Sequence, residues 1–151
     1  NGYSTGVFFF KKVVGSGTFT STSANTSKHV YKFHDVADFT GTLEAKNSIR
    51  LVIGTGNADA DGNSVVFTDG VTVNGDSNCT AQKAVFGRTL KVKGAARAVL
   101  ATVTNPPDVR NVKVTLVDAE GEKSGYGLKT RAVEGGYEVS VGIKSFVLLI
   151  K

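Results

Sequence analysis

Apolar and polar residues alternate with a period of two along most of the chain. In the segment 89–93, Leu90 and Val92 lie between threonine and lysine residues, and the same spacing recurs over 99–103 and 112–116. Successive side chains of a strand point to opposite faces, so this spacing is typical of strands with one buried face. Further strand-like segments lie at residues 49–53, 64–67, 71–73 and 137–141.

Turn-forming residues separate these segments at short intervals, for example at residues 15–17, 74–75 and 105–108. No stretch of about 12 residues carries apolar positions at the spacing of an amphipathic helix. Short strands without crossover helices favour antiparallel neighbours. The pattern therefore predicts an all-β fold, a single antiparallel β-sandwich of jelly-roll type with about ten short strands.

The length of 151 residues suits one domain that can fold without disulfides or metals. We see no internal repeat. The predicted organisation is an N-terminal strand within residues 1–14, which can be exchanged between subunits, followed by a β-sandwich domain over residues 15–151.

Both ends of the chain depart from the alternation. Val7–Phe10 and residues 146–150 are apolar at every position, so both faces of a strand there need cover. Burying one Phe, Leu or Ile side chain is worth about 1.5–3 kcal/mol, and exposed apolar strands aggregate. The cover is either another segment of the same subunit or a second copy of the chain.

Strand complementation is the functional interpretation of the N-terminal segment. An inserted strand gains affinity from main-chain hydrogen bonds, and a head-to-tail contact of this kind produces filaments. Lys11 and Lys12 interrupt the apolar run and count against insertion unless both side chains reach solvent. The predicted subunit-interface residues are Val7, Phe8, Phe9, Phe10, Val13 and Val14.

The segment 57–63 resembles the first half of a calcium-binding loop. It places oxygen-bearing side chains at alternate positions before a glycine, which suits a hard cation. Position twelve of the pattern is Thr68 rather than glutamate, and flanking helices are not predicted, so an ordinary polar turn is the alternative. The predicted Ca²⁺ ligands are Asn57, Asp59, Asp61 and Asp69.

The composition of the chain gives an expectation about the cellular compartment in which the protein functions. The chain begins at Asn1 and has no Met, so we expect either signal-peptide cleavage and secretion or a fragment of a larger protein. Asn25 and Asn78 stand in N-x-S/T triplets and are predicted glycosylation sites. A single Cys79 is either a buried small apolar residue or a thiol that pairs between chains. No apolar run approaches the length of a membrane span.

Charge and candidate chemistry narrow the function classes. Residues 1–80 carry a net charge of −1 and residues 81–151 a net charge of +6. The basic residues alternate with apolar ones, as on a solvated strand face, so we predict no nucleic-acid binding. His29 and His34 are five positions apart and would lie on opposite faces of a strand, and no nucleophile or carboxylate pair stands out. We therefore predict no enzymatic activity.

The sequence thus predicts a secreted structural subunit of an extracellular or cell-surface assembly, such as a pilus-like filament. Its partner is a second copy of the chain, joined head to tail by donor-strand complementation. The alternative function is an accessory carbohydrate-binding module of a larger secreted protein, although the chain has no Trp and only four Tyr for sugar-stacking platforms.

Overall fold

The computed structural model describes residues 6–20, 28–56, 62–94 and 97–144, and the elements within these ranges are all strands. They are β1 (Val7–Phe10), β2 (Thr18–Thr20), β3 (Val30–Phe33), β4 (Thr42–Glu44), β5 (Arg50–Ile53), β6 (Ser64–Phe67), β7 (Val71–Asn74), β8 (Asn78–Ala81), β9 (Lys83–Phe86), β10 (Thr89–Lys93), β11 (Val99–Val103), β12 (Lys113–Asp118), β13 (Gly121–Val133) and β14 (Gly136–Ile143).

The chain winds into a β-solenoid of about four turns. The path β6, β7, β8 is followed by β9, β10, β11, and each strand of the second set pairs in parallel with its counterpart in the first. One sheet has the order β1-β3-β5-β6-β9 and is parallel throughout. Successive turns therefore stack along one axis, with strand β1 at one edge of this sheet and β9 at the other.

A second sheet contains the other two faces of the coil. Its order is β2-β4-β8-β11-β14-β13-β12-β10-β7. The runs β2-β4-β8-β11 and β7-β10-β12 are parallel, whereas β11-β14, β14-β13 and β13-β12 are antiparallel. The long hairpin of β13 and β14 thus joins the two faces at the C-terminal end of the coil.

The prediction of an antiparallel sandwich or jelly roll was wrong. Alternation of apolar and polar residues reports that one face of a strand is buried, and it does so equally for parallel and antiparallel neighbours. Parallel strands need a long crossover, which commonly contains a helix. Here the crossover from β7 to β10 is made by β8 and β9, strands of the other two faces, so no helix is needed.

The interior consists of side-chain columns that run along the coil axis. In-register pairing places one residue of each turn directly above the next, and one column of the first sheet is Phe10, Phe33, Ile53, Phe67 and Phe86. Within this column the rings of Phe10 and Phe33 stack at 5.0 Å, and those of Phe67 and Phe86 at 4.7 Å. Phe33 and Phe67 are buried, while Phe10 and Phe86, the two ends, are half-buried.

Candidate assembly site at the edges of the first sheet

Strand β1 forms the N-terminal edge of the coil and leaves apolar side chains in solvent. Val7 is 50%, Phe8 43% and Phe9 63% exposed. Val14, which follows the strand, is also exposed. Other exposed large apolar side chains in the described residues are Val85 and Ile143, so most of this surface belongs to the first turn.

One side of β1 has no backbone partner among the described strands. On the other side, the amides of Val30 and His34 donate to the carbonyls of Gly6 and Phe10, each at 2.9 Å. Even-numbered residues of β1 therefore turn their backbone groups toward β3. Because successive residues of a strand turn these groups to opposite sides, the N–H and C=O groups of Val7 and Phe9 point away from the sheet.

Aromatic contacts hold the exposed rings in fixed positions. The ring of Phe8 stacks on Tyr31 at 4.9 Å and meets the edge of His29 at 5.4 Å. The ring of Phe9 meets His34 at 5.6 Å, and the Lys32 ammonium lies 5.3 Å from its centroid. Since both histidines contact these rings, their place in the fold is beside the edge strand and not in a shared site.

The segment after β1 is tied to the second turn. The carbonyls of Gly15 and Gly17 accept hydrogen bonds from the amides of Thr40 and Thr42, at 2.9 and 2.8 Å. Both glycines have positive φ, 89° and 114°, a conformation that glycine adopts without a steric penalty. The first turn is therefore bonded to its own subunit along β1 and beyond it.

The two lysines after β1 point toward solvent rather than into the coil. Both are exposed, and the Lys12 ammonium lies 3.5 Å from the carboxylate of Asp38. Lys93, which donates to Asp38 at 2.8 Å, is the main reason that the pKa of this carboxyl lies below its ordinary value, and Lys12 adds to the effect. The lysines thus leave the apolar edge of β1 clear.

The opposite edge of the same sheet is β9. The amide of Lys83 donates to the Asn63 carbonyl at 3.2 Å, and that of Gly87 to the Phe67 carbonyl at 2.8 Å. Odd-numbered residues of β9 therefore face β6, so the backbone groups of Ala84 and Phe86 point away from the sheet.

An open cleft of about 400 Å³ runs along this edge. Residues 84–88 line it on the sheet side, and Asp108, Asn111 and Val112 line it on the other. The sequence did not single out β9 as a candidate site, although Ala84, Val85 and Phe86 form a short apolar run after Lys83. Val85 is 46% exposed on this last strand of the sheet.

Most of the predicted calcium site lies outside the described residues, namely Asn57, Asp59 and Asp61. Asp69 is described, and its carboxylate accepts hydrogen bonds from the amide and the hydroxyl of Thr89, both at 2.8 Å. These bonds hold the pKa of Asp69 below its ordinary value. Within the described residues no group of three or more His, Cys, Asp or Glu side chains is suited to a metal. Calcium binding stays a prediction.

Some of the predicted modification sites and the apolar C-terminal segment lie outside the described residues, and others lie within them. Asn25 and the apolar residues 146–150 lie outside the described residues. Asn78 is half-buried in β8, and its side-chain amide donates to the Val99 carbonyl at 3.3 Å. Cys79 is buried, and burial raises the pKa of its thiol to about 12. Glycosylation stays a prediction.

Comparisons of the chain with protein-family models, with curated proteins and with solved structures found no match. No relative therefore assigns a role to either sheet edge.

Among the residues that the structure describes, no helix has the length and apolarity needed to cross a membrane. The carbohydrate-binding alternative also stays a prediction; Tyr31, Tyr126 and Tyr137 pack against the core rather than forming an exposed platform.

Proposed function

We propose that the chain is a non-enzymatic structural subunit of an extracellular assembly and that it self-associates through β1. The supporting observation is the apolar edge of the first turn. A phenylalanine has about 200 Å² of surface, so the exposures of Phe8 and Phe9, 43% and 63%, leave roughly 200 Å² of ring in water. At about 25 cal/mol per Å², covering this area is worth about 5 kcal/mol.

That free energy is comparable to the whole net stability of a small domain. An edge strand with free backbone groups and apolar side chains is also a template for a further strand. Self-association removes the exposed rings from water and gives the unpaired backbone amides hydrogen-bond partners. The regular coil supplies a rigid, repeating body on which such an edge is presented, which suits a structural role.

The test is the assembly state of a variant that charges the edge without touching the interior. Phe9→Lys replaces an outward, exposed ring, so we expect the coil to fold normally while association is lost. Ile143→Lys is the matched control, because Ile143 is 61% exposed but lies in β14, outside the first turn. Sedimentation velocity over a range of concentrations and negative-stain microscopy report assembly, and far-ultraviolet circular dichroism reports folding.

We expect the wild type and Ile143→Lys to form oligomers that grow with concentration, and Phe9→Lys to remain monomeric. A wild type that stays monomeric at the highest accessible concentration contradicts the proposal. So does a folded Phe9→Lys variant that assembles like the wild type.

A further inference from the structure

We propose that the acceptor for β1 is the free edge of β9 in a second copy, so that copies join head to tail as one continuous parallel sheet. This inference rests on the self-association proposed above and specifies its geometry. The first sheet ends at β1 on one side and at β9 on the other, and every pairing between them is parallel and in register.

The hydrogen-bonding groups of the two edges match. Val7 and Phe9 turn their amides and carbonyls outward from β1, and Ala84 and Phe86 turn theirs outward from β9. If the register of the sheet continues, Ala84 lies opposite Phe8, and its groups bond to the residues on either side of Phe8. These residues are Val7 and Phe9, the ones whose groups are free.

The side chains of the two edges match as well. In the continued register Phe86 lies beside Phe10, so the column of rings inside the coil runs on across the joint. Phe10 and Phe86 are the half-buried ends of that column, and each has a stacked ring on its other side, at 5.0 and 4.7 Å. On the outer face, exposed Val85 lies beside exposed Phe9.

The cleft along β9 provides room for the added strand. The described segment that runs past this edge from β11 to β12 does not pair with it as a strand. Instead it leaves the open volume of about 400 Å³ between residues 84–88 and the side chains of Asp108, Asn111 and Val112. A strand lying there gains backbone partners on β9 and apolar cover for its inward side chains.

The joint is small. The exposed rings of Phe8 and Phe9 amount to about a quarter of the roughly 800 Å² that each partner buries in a standard interface. We therefore expect association that is weak and depends on protein concentration.

The competing arrangement is a symmetric dimer in which β1 pairs with β1 of a second copy. Such an isologous contact closes on itself and leaves Val85 and the β9 edge in solvent. A β1-to-β9 contact is heterologous, so it continues into an open chain of subunits. The two arrangements differ in the neighbour of Phe9, which is a residue of β1 in the symmetric dimer and Val85 in the head-to-tail joint.

Cysteine cross-linking distinguishes these arrangements. Directly opposed residues of neighbouring strands are about 4.8 Å apart, within the Cα separation that a disulfide spans. Phe9→Cys and Val85→Cys are prepared as separate proteins with different tags, mixed, and oxidised. Val14→Cys mixed with Val85→Cys is the matched control, because Val14 is as exposed as Phe9 but lies outside β1. Native Cys79 is buried with a raised thiol pKa and contributes little background.

We expect a mixed disulfide between Phe9→Cys and Val85→Cys that is about tenfold or more stronger than in the control, because docked thiols have a high effective concentration. A Phe9→Cys homodimer without the mixed species overturns the head-to-tail joint and leaves self-association through β1 intact. Equal cross-linking in the test and control mixtures, in proteins that assemble, also overturns it. Absence of cross-linking in the mixture, together with absence of assembly in the wild type, contradicts the proposed function and this inference alike.

Discussion

Removing the ring of Phe33 is the sharpest test of the column inside the coil. Phe33 is 1% exposed and lies between β1 and β5 in the first sheet. Its ring stacks on Phe10 at 5.0 Å and meets the edge of Phe19 at 5.3 Å. Phe33→Ala therefore removes a ring that is enclosed on every side, and substitutions of this kind cost about 3–5 kcal/mol.

Phe10 provides a matched comparison, because it belongs to the same column but lies at its end. It is half-buried, with a stacked ring on one side and no strand on the other within the described residues. We expect Phe10→Ala to cost about half as much as Phe33→Ala in dilute solution. If the head-to-tail joint forms, the cost of Phe10→Ala rises with protein concentration, because the second face of the ring is then also covered.

The assay is denaturant unfolding at equilibrium, followed by far-ultraviolet circular dichroism because the chain has no Trp. Val14→Ala is the control, since an exposed side chain outside the strands is expected to change the free energy of unfolding by less than about 0.5 kcal/mol. A cost below about 1 kcal/mol for Phe33→Ala would refute the column. A dilute-solution cost for Phe10→Ala that equals the cost for Phe33→Ala would refute its position at the end.

Two further predictions concern the acidic residues. If the segment containing Asp59 and Asp61 binds Ca²⁺, millimolar Ca²⁺ raises the melting temperature of the wild type. It leaves the melting temperature of the Asp59→Asn, Asp61→Asn double variant unchanged. A wild type that shows no heat of binding in calorimetric titration and no shift in melting temperature counts against the site. The folded-state pKa of Asp69 is lowered by its bonds from Thr89, so its contribution to stability is present above about pH 4 and is lost as the pH falls through the folded pKa. With EDTA present, the gap in melting temperature between the wild type and Asp69→Asn should close over that acid range, and a gap that persists would contradict the assignment.

The buried side of most strands could be predicted from the sequence. Leu90, Val92, Val114 and Leu116 were expected to point inward from their spacing alone, and each is at most 4% exposed. This success has a local cause. The direction of a side chain from a strand depends on the backbone of that strand and alternates whatever its neighbours are.

The sequence indicated one of the two sheet edges that form the candidate site, namely β1. Apolar residues at every position of Val7–Phe10 indicated that this strand is not an ordinary half-buried one, and it is the edge of the sheet. Lys83–Phe86 carries only a shorter apolar run, Ala84–Phe86, and its importance comes from being the last strand of the same sheet. An edge is a property of the order of strands, which a strand's own residues do not encode.

Alternation along the chain was thus sufficient to determine that the protein is built from strands and, for most of them, which side chains face the core. Only the tertiary structure decided which strands are neighbours and in which direction they run. β7 ends at Asn74 and its parallel partner β10 begins at Thr89, with two strands of other faces between them. Pairing at that distance depends on how the whole coil closes around its core, and a period of two is the same for either strand direction.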